Sequence, residues 1–119
     1  MIWKNKFEMT YVGPSQVLVK SIDSKEGSLT LKSELGFEIN DVRIMGNDRY
    51  VVARTPDTLL LGDINNKLLS EIPWPHSHHT ERFYFNNPNV CLIFNAGELT
   101  LVEYGNNEIL ATVRYVELN

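Results

Sequence analysis

The strongest constraint on this chain is a repeat. Asp23, Asp63 and Glu103 each close an apolar run, in Val17–Asp23, Asp57–Asp63 and Gly97–Glu103, so the carboxylates recur in steps of 40 residues. The same step stacks Val19 on Leu59 and Leu99, Val12 on Val52 and Leu92, Leu29 on Leu69 and Ile109, and the turn residue Asn47 on Asn87. Three units, 1–40, 41–80 and 81–119, account for the 119 residues. A fixed period of about 20–50 residues is the signature of an array in which each unit buries its apolar face on the next.

Each unit reads as four short strands. The second runs Asp41–Met45, Tyr50–Thr55, Thr58–Ile64 and Lys67–Ile72, with turns at Gly46-Asn47-Asp48, Pro56-Asp57 and Asn65-Asn66. The third runs Arg82–Phe85, Asn89–Phe94, Glu98–Tyr104 and Glu108–Val116, and the less regular first runs Ile2–Asn5, Phe7–Val12, Gln16–Asp23 and Ser28–Ser33. Asn and Gly recur at the turns because they tolerate the positive φ of tight hairpins. β-branched and aromatic residues crowd the strands, and no window holds apolar residues at helical spacing. The expected fold is all-β: three four-stranded antiparallel blades of a WD-repeat β-propeller, a class whose unit is about 40–45 residues.

Closed propellers need about 4–8 blades, so three are expected to form a partial ring completed by other segments or copies. An independent β-sandwich is the alternative that strand count permits. Val90–Phe94, apolar throughout, is expected to be an inner strand buried on both faces, and Val52, Leu59, Leu92, Phe94 and Leu99 are the expected core. A three-blade stack leaves two outer faces, both expected to be apolar, so the isolated chain is expected to self-associate, two copies making a six-bladed ring.

Charge and composition narrow the function. Eleven basic against 15 acidic residues give a net charge of −4, whereas nucleic-acid modules gather a basic surplus. Hydrophobic residues make up 43%, too many for a disordered tail. No apolar run is long enough to span a bilayer, and no charged-then-apolar leader opens the sequence, so a soluble chain is expected. A single cysteine, Cys91, offers no internal disulfide and fits a reducing compartment.

Four features suggest chemistry or binding, and each has a plainer explanation. Pro75-His76-Ser77-His78-His79 gathers three imidazoles, the basis for an alternative reading as a small metal-dependent or ligand-binding domain using His76–His79. A structural zinc needs four ligands at defined spacing, so the expectation is an exposed inter-unit loop, dispensable for folding, and no metal or other cofactor. Asp23, Asp63 and Glu103 suit glycosidase chemistry only if two converge; on separate blades each is expected to accept hydrogen bonds in its own turn. Cys91 lies in an apolar strand and is expected to be an inert buried side chain. Trp3 and Trp74 at unit edges and Phe83-Tyr84-Phe85 could form a partner surface or a stacking platform, but alternation along a strand assigns Phe83 and Phe85 to inter-unit packing.

Lys4-Asn5-Lys6-Phe7-Glu8, Thr10 through Val17, Thr58-Leu59-Leu60-Leu61-Gly62-Asp63 and above all the block from Asn89 to Asn107 resemble an internal stretch of the intraflagellar transport protein 172 family, large peripheral subunits of complex B. The resemblance runs from about Lys4 to Val113 and weakens at Ser21–Gly27 and Pro73–Glu81. It implies propeller sequence near where a first propeller gives way to a second, without the helical solenoid that follows in the family. It also implies a non-catalytic scaffold in the cilium or flagellum and its basal region, on the cytoplasmic side. The implied partners are other intraflagellar transport subunits, with membrane association through the full-length protein and none with nucleic acid. The family has no catalytic motif here, so no enzyme activity and no site residue is expected from it, and the partner-binding residues are not specified. Scaffold and enzyme are separated by a convergent acid, base and nucleophile, which the sequence does not offer.

Overall fold

The computed structural model describes residues 2–4, 6–23, 27–75 and 79–114, and among these the chain is β without helix. Among the described residues twelve strands form three four-stranded antiparallel sheets. The first holds β1 (Ile2–Lys4), β2 (Phe7–Gly13), β3 (Gln16–Ser21) and β4 (Ser28–Lys32). The second holds β5 (Asp41–Met45), β6 (Tyr50–Arg54), β7 (Thr58–Asp63) and β8 (Leu68–Pro73), and the third β9 (Arg82–Tyr84), β10 (Val90–Asn95), β11 (Glu98–Glu103) and β12 (Ala111–Arg114). Each sheet is a meander in chain order, and none closes on itself. The last strand starts three residues later than its sequence pattern suggests, at Ala111, although the Leu110 N–H already donates to the Leu101 carbonyl of β11 (2.8 Å).

Turn chemistry fixes these hairpins. Gly46, Asn47 and Asp48 all have positive φ (58°, 57° and 63°) between β5 and β6. A side chain at Gly46 would also place its Cβ 2.6 Å from the Tyr50 ring and 3.1 Å from Phe85, so glycine is required there twice over. Ala96 (φ 49°) and Gly97 (φ 79°) form the two-residue turn closing β10 on β11, where Asn95 pairs with Glu98.

The sheets stack in chain order. Calling the side of each sheet that turns toward the next unit its forward face, Phe7, Met9, Val17, Val19, Leu29 and Leu31 of the first sheet meet Val42, Val51, Ala53 and Leu60 on the rear of the second. Tyr50, Val52, Leu59, Leu61 and Ile72 on the forward face of the second meet Cys91, Ile93 and Val102 on the rear of the third. Gly62 lets the first two sheets close, since a Cβ there would sit 2.5 Å from Leu29 Cδ2. The second sheet is thereby covered on both sides, and every residue of β6 and β7 is buried.

The outer sheets correct two expectations. Val90–Phe94 is not buried on both faces: Cys91 and Ile93 point rearward and are buried, whereas Leu92 and Phe94 point forward and are half-buried, as is Leu99. Their forward neighbour would be a fourth sheet, and the two-sided burial expected of this strand falls instead on β6 and β7. Val52 and Leu59, in the middle sheet, are buried as expected. Secondly, among the described side chains the rear face of the first sheet is mixed rather than apolar, since it carries Glu8, Thr10, Leu18, Lys20, Thr30 and Lys32, all half-buried or exposed. The first unit also departs from the 40-residue step. A register shift between Tyr11 and Gly13 starts β3 two residues early, so Ser21 rather than Asp23 ends the strand and Val12 is 65% exposed. A slip of two keeps each side chain on its face, which is why the apolar alignment survives it.

Candidate functional site

Polar side chains gather at the seams between sheets. Glu71, buried in β8, accepts from Ser33 Oγ (2.7 Å), the Glu34 backbone N–H (2.7 Å) and Thr58 Oγ1 (2.7 Å), while Thr55 and Thr58 share a hydrogen bond of 2.6 Å. The Glu71 N–H donates to Asn107 Oδ1 at 3.0 Å, so a single residue ties all three units together. Ser70 Oγ donates to the Glu103 carbonyl (3.1 Å) and accepts from the Gly105 N–H (2.9 Å) across the second seam. Sequence reasoning missed this hub. Its signal was an acidic residue next to Ser70 inside a largely apolar strand.

Two ion pairs, each with a buried carboxylate, brace the second unit, and one of them ties it to the third. Arg49 donates twice to Asp63 (3.2 and 3.1 Å), and Asp63 also accepts from Asn65 and Asn66 in its own turn. Burial raises the Asp63 carboxyl, but the hydrogen bonds from Arg49 and Asn66 outweigh it and hold the group below its ordinary range. Arg54 pairs with Glu81 at 2.5 Å, and Trp74 Nε1 donates to the same carboxylate at 2.7 Å. Burial likewise opposes ionisation of Glu81, and these two donors more than offset it. Trp74 is therefore part of the second seam, not an exposed stacking platform.

The recurring carboxylates do not converge on one site. Asp63 serves its turn and Arg49, Glu103 accepts from Asn106 Nδ2 (2.8 Å) in its own turn, and Asp23 is exposed. Of the histidine run, His79 is exposed, while His76 and His78 lie outside the described residues, as does the side chain of Trp3. Among the described residues no three His, Cys, Asp or Glu side chains gather as a metal site. Cys91 is fully buried, and burial pushes its thiol up to about 12, the opposite of what a nucleophile needs. The Tyr104 hydroxyl beside it is buried without a conventional hydrogen-bond partner, and burial, reinforced by that thiol, raises it too.

Phe85, Tyr50 and Tyr104 stack across the second seam, with centroids 4.8 and 5.3 Å apart, and the Arg49 guanidinium lies 5.0 Å from the Tyr50 ring centre. Phe83 and Phe85 pack rearward as alternation predicts, and Tyr84 points forward. The register aligns Tyr84, Leu92, Leu101 and Ala111 in one row and Arg82, Phe94, Leu99 and Val113 in the next. Among the described residues no other strand lies on the forward face of the third sheet, which is a broad apolar surface suited to binding.

No family model matches the chain. Among curated proteins it is 58% identical over 113 residues to the intraflagellar transport protein 172 homolog of Drosophila melanogaster, covering 95% of this chain, and 58% identical over 118 residues to that of Rattus norvegicus, covering 99%. It is 48% identical over 119 residues to intraflagellar transport protein 172 of Chlamydomonas reinhardtii. By sequence the chain is similar, along nearly its whole length, to one small segment of the intraflagellar transport protein 172 homologues. It spans only 6–7% of the length of these curated relatives. The match to the intraflagellar transport homologues nevertheless runs through all three sheets and both seams, covering 99% of the chain in the rat and algal proteins.

Proposed function

We propose that this chain is a non-catalytic scaffold segment of an intraflagellar transport complex B subunit, and that its three units, 1–40, 41–80 and 81–119, are successive blades of a WD-repeat propeller. The observation that carries this reading is the identity of 58% across nearly the whole chain to intraflagellar transport protein 172 homologues. The stacking supports the blade reading: each covered sheet lays its forward face on the next sheet's rear, and a two-layer sandwich has no middle sheet covered on both sides. A scaffold role suits a repeat that presents broad surfaces and whose buried carboxylates, Asp63, Glu71 and Glu81, are engaged in seams and turns.

Its partners are then other intraflagellar transport subunits and its place the cilium or flagellum and its basal region, on the cytoplasmic side. Membrane association belongs to the full-length protein, and the acidic balance argues against nucleic acid as a partner. The test is to tag the gene product at its own locus in a ciliated cell. Signal travelling along the axoneme and co-purification with complex B subunits is the expected result; a protein absent from cilia overturns the reading.

A further inference from the structure

At the end of the second sheet that carries the β6–β7 turn, a cavity of about 230 Å³ opens beside the second seam. Its walls include Asn40, Arg54, Pro56, Leu59, Trp74 and His79. Leu59 and Trp74 are buried and give it an apolar floor, whereas Asn40, Pro56 and His79 are exposed and rim the mouth. Small-molecule sites run to about 300–1,000 Å³, so this volume suits one side chain of a partner. Arg54 ends β6 on the same face as Tyr50 and Val52 and is 9% exposed. Its Nη2 donates to Glu81 Oε1 (2.5 Å), and Trp74 Nε1 donates to Oε2 (2.7 Å), while Glu81 itself does not line the cavity. That bond uses one of five donors in a rigid fork shaped for carboxylates. The other guanidinium nitrogens have no partner among the described residues, where the Tyr104 hydroxyl is the buried polar atom sealed without one. Those nitrogens are therefore open to solvent, and on so buried a side chain they open into the cavity.

We propose that this cavity receives a glutamate side chain of a partner protein, its carboxylate on the open nitrogens of Arg54 and its methylenes against Trp74 and Leu59. Charge complementarity selects the occupant. A basic side chain finds no open carboxylate there, because both Glu81 oxygens are taken and Asp41, at the wall, accepts from Arg43 Nε at 3.0 Å. A purely apolar side chain leaves the guanidinium donors desolvated and unpaired, at a cost that a carboxylate avoids. Glu81 and Trp74 hold the guanidinium in place beforehand, so little side-chain freedom is lost when the carboxylate arrives. The site gives the scaffold reading a point of contact and rests on that reading for the existence of a protein partner.

The experiment titrates the ¹⁵N-labelled chain with a blocked peptide carrying one glutamate between glycines, and with its glutamine and phosphoserine counterparts, followed by amide and indole NMR signals. The glutamate peptide is expected to shift the Trp74 indole N–H and the Thr55 and Thr58 amides saturably, with the glutamine peptide at least ~10-fold weaker. Arg54→Gln combined with Glu81→Gln keeps a hydrogen-bonding pair in the seam and should abolish that discrimination. Asn40→Trp, on the exposed rim, should block the cavity while the rest of the spectrum stays dispersed, and it decides the matter alone where the double variant does not fold. Equal binding of the glutamate and glutamine peptides, tighter binding of the phosphoserine peptide, or unchanged binding in a folded variant overturns the proposal. So do shifts confined to other parts of the molecule. The peptides are synthetic and the readout is local to Trp74, so a protein absent from cilia would defeat the scaffold reading without touching this result.

Discussion

Leu59 in the middle sheet and Leu99 in the third hold the same position in successive units, yet the first is 1% exposed and the second is half-buried. Around Leu59 every residue of β6 and β7 is buried; around Leu99 the strands alternate between buried and half-buried. The residues are equally apolar. The difference lies wholly in whether another sheet stands in front, so burial in a stacked array belongs to the neighbour as much as to the strand.

The sharpest way to break that comparison uses thiols. Cys91 points to the covered rear of the third sheet, and its thiol, pushed up from 9.0 to about 12, leaves roughly a thousandfold less thiolate at pH 8 than an unperturbed one. We expect native Cys91 to resist a thiol-reactive chromophore that labels it fully in denaturant. In a Cys91→Ala background, Leu92→Cys should label rapidly without denaturant, and equal rates for the two sites would refute the one-sided cover.

Truncation is the next test. Leu59→Ala removes a side chain enclosed on both sides and should cost about 2–5 kcal/mol. Leu99→Ala, with one side open, should cost about 1 kcal/mol. Urea melts that give equal losses would show that the third sheet finds cover in solution.

Carboxylates sharpen the same contrast. Glu71→Ala strands the buried donors of Ser33 and Thr58, an expected loss of about 1–3 kcal/mol. Glu98 on the third sheet forms a solvent-exposed pair with Arg114 (3.1 Å), and Glu98→Ala should cost under about 0.5 kcal/mol. The smallest effect is expected at a turn. β6 and β7 are joined through Pro56 and Asp57 without positive φ, whereas β10 and β11 turn through Ala96 at φ 49°. Ala96→Gly should therefore stabilise the third sheet by about 0.5 kcal/mol, the relief of a left-handed Cβ less the added freedom of the unfolded chain. A loss of stability in a thermal melt would place strain elsewhere.

The histidine run and the recurring carboxylates show how far candidate sites were legible. Repetition placed Asp63 and Glu103 in separate units, and their hydrogen bonds in local turns follow from that. Glu71, Arg54 and Glu81 were not legible. Their partners come from Ser33, Asn107 and Trp74, in other units or on other strands, and nothing in the local sequence marks those meetings.

The 40-residue step, the twelve strands within a few residues of their ends, and the turns at Gly46–Asp48 and Ala96–Gly97 were determined by sequence alone, because pleat, turn geometry and side-chain alternation are local. Tertiary structure alone decided that β6 and β7 rather than β10 form the doubly covered core, and that among the described side chains the two ends of the stack differ, one mixed and the other largely apolar. An apolar run records that a strand is able to be buried; only the sheet placed against it removes water from each face.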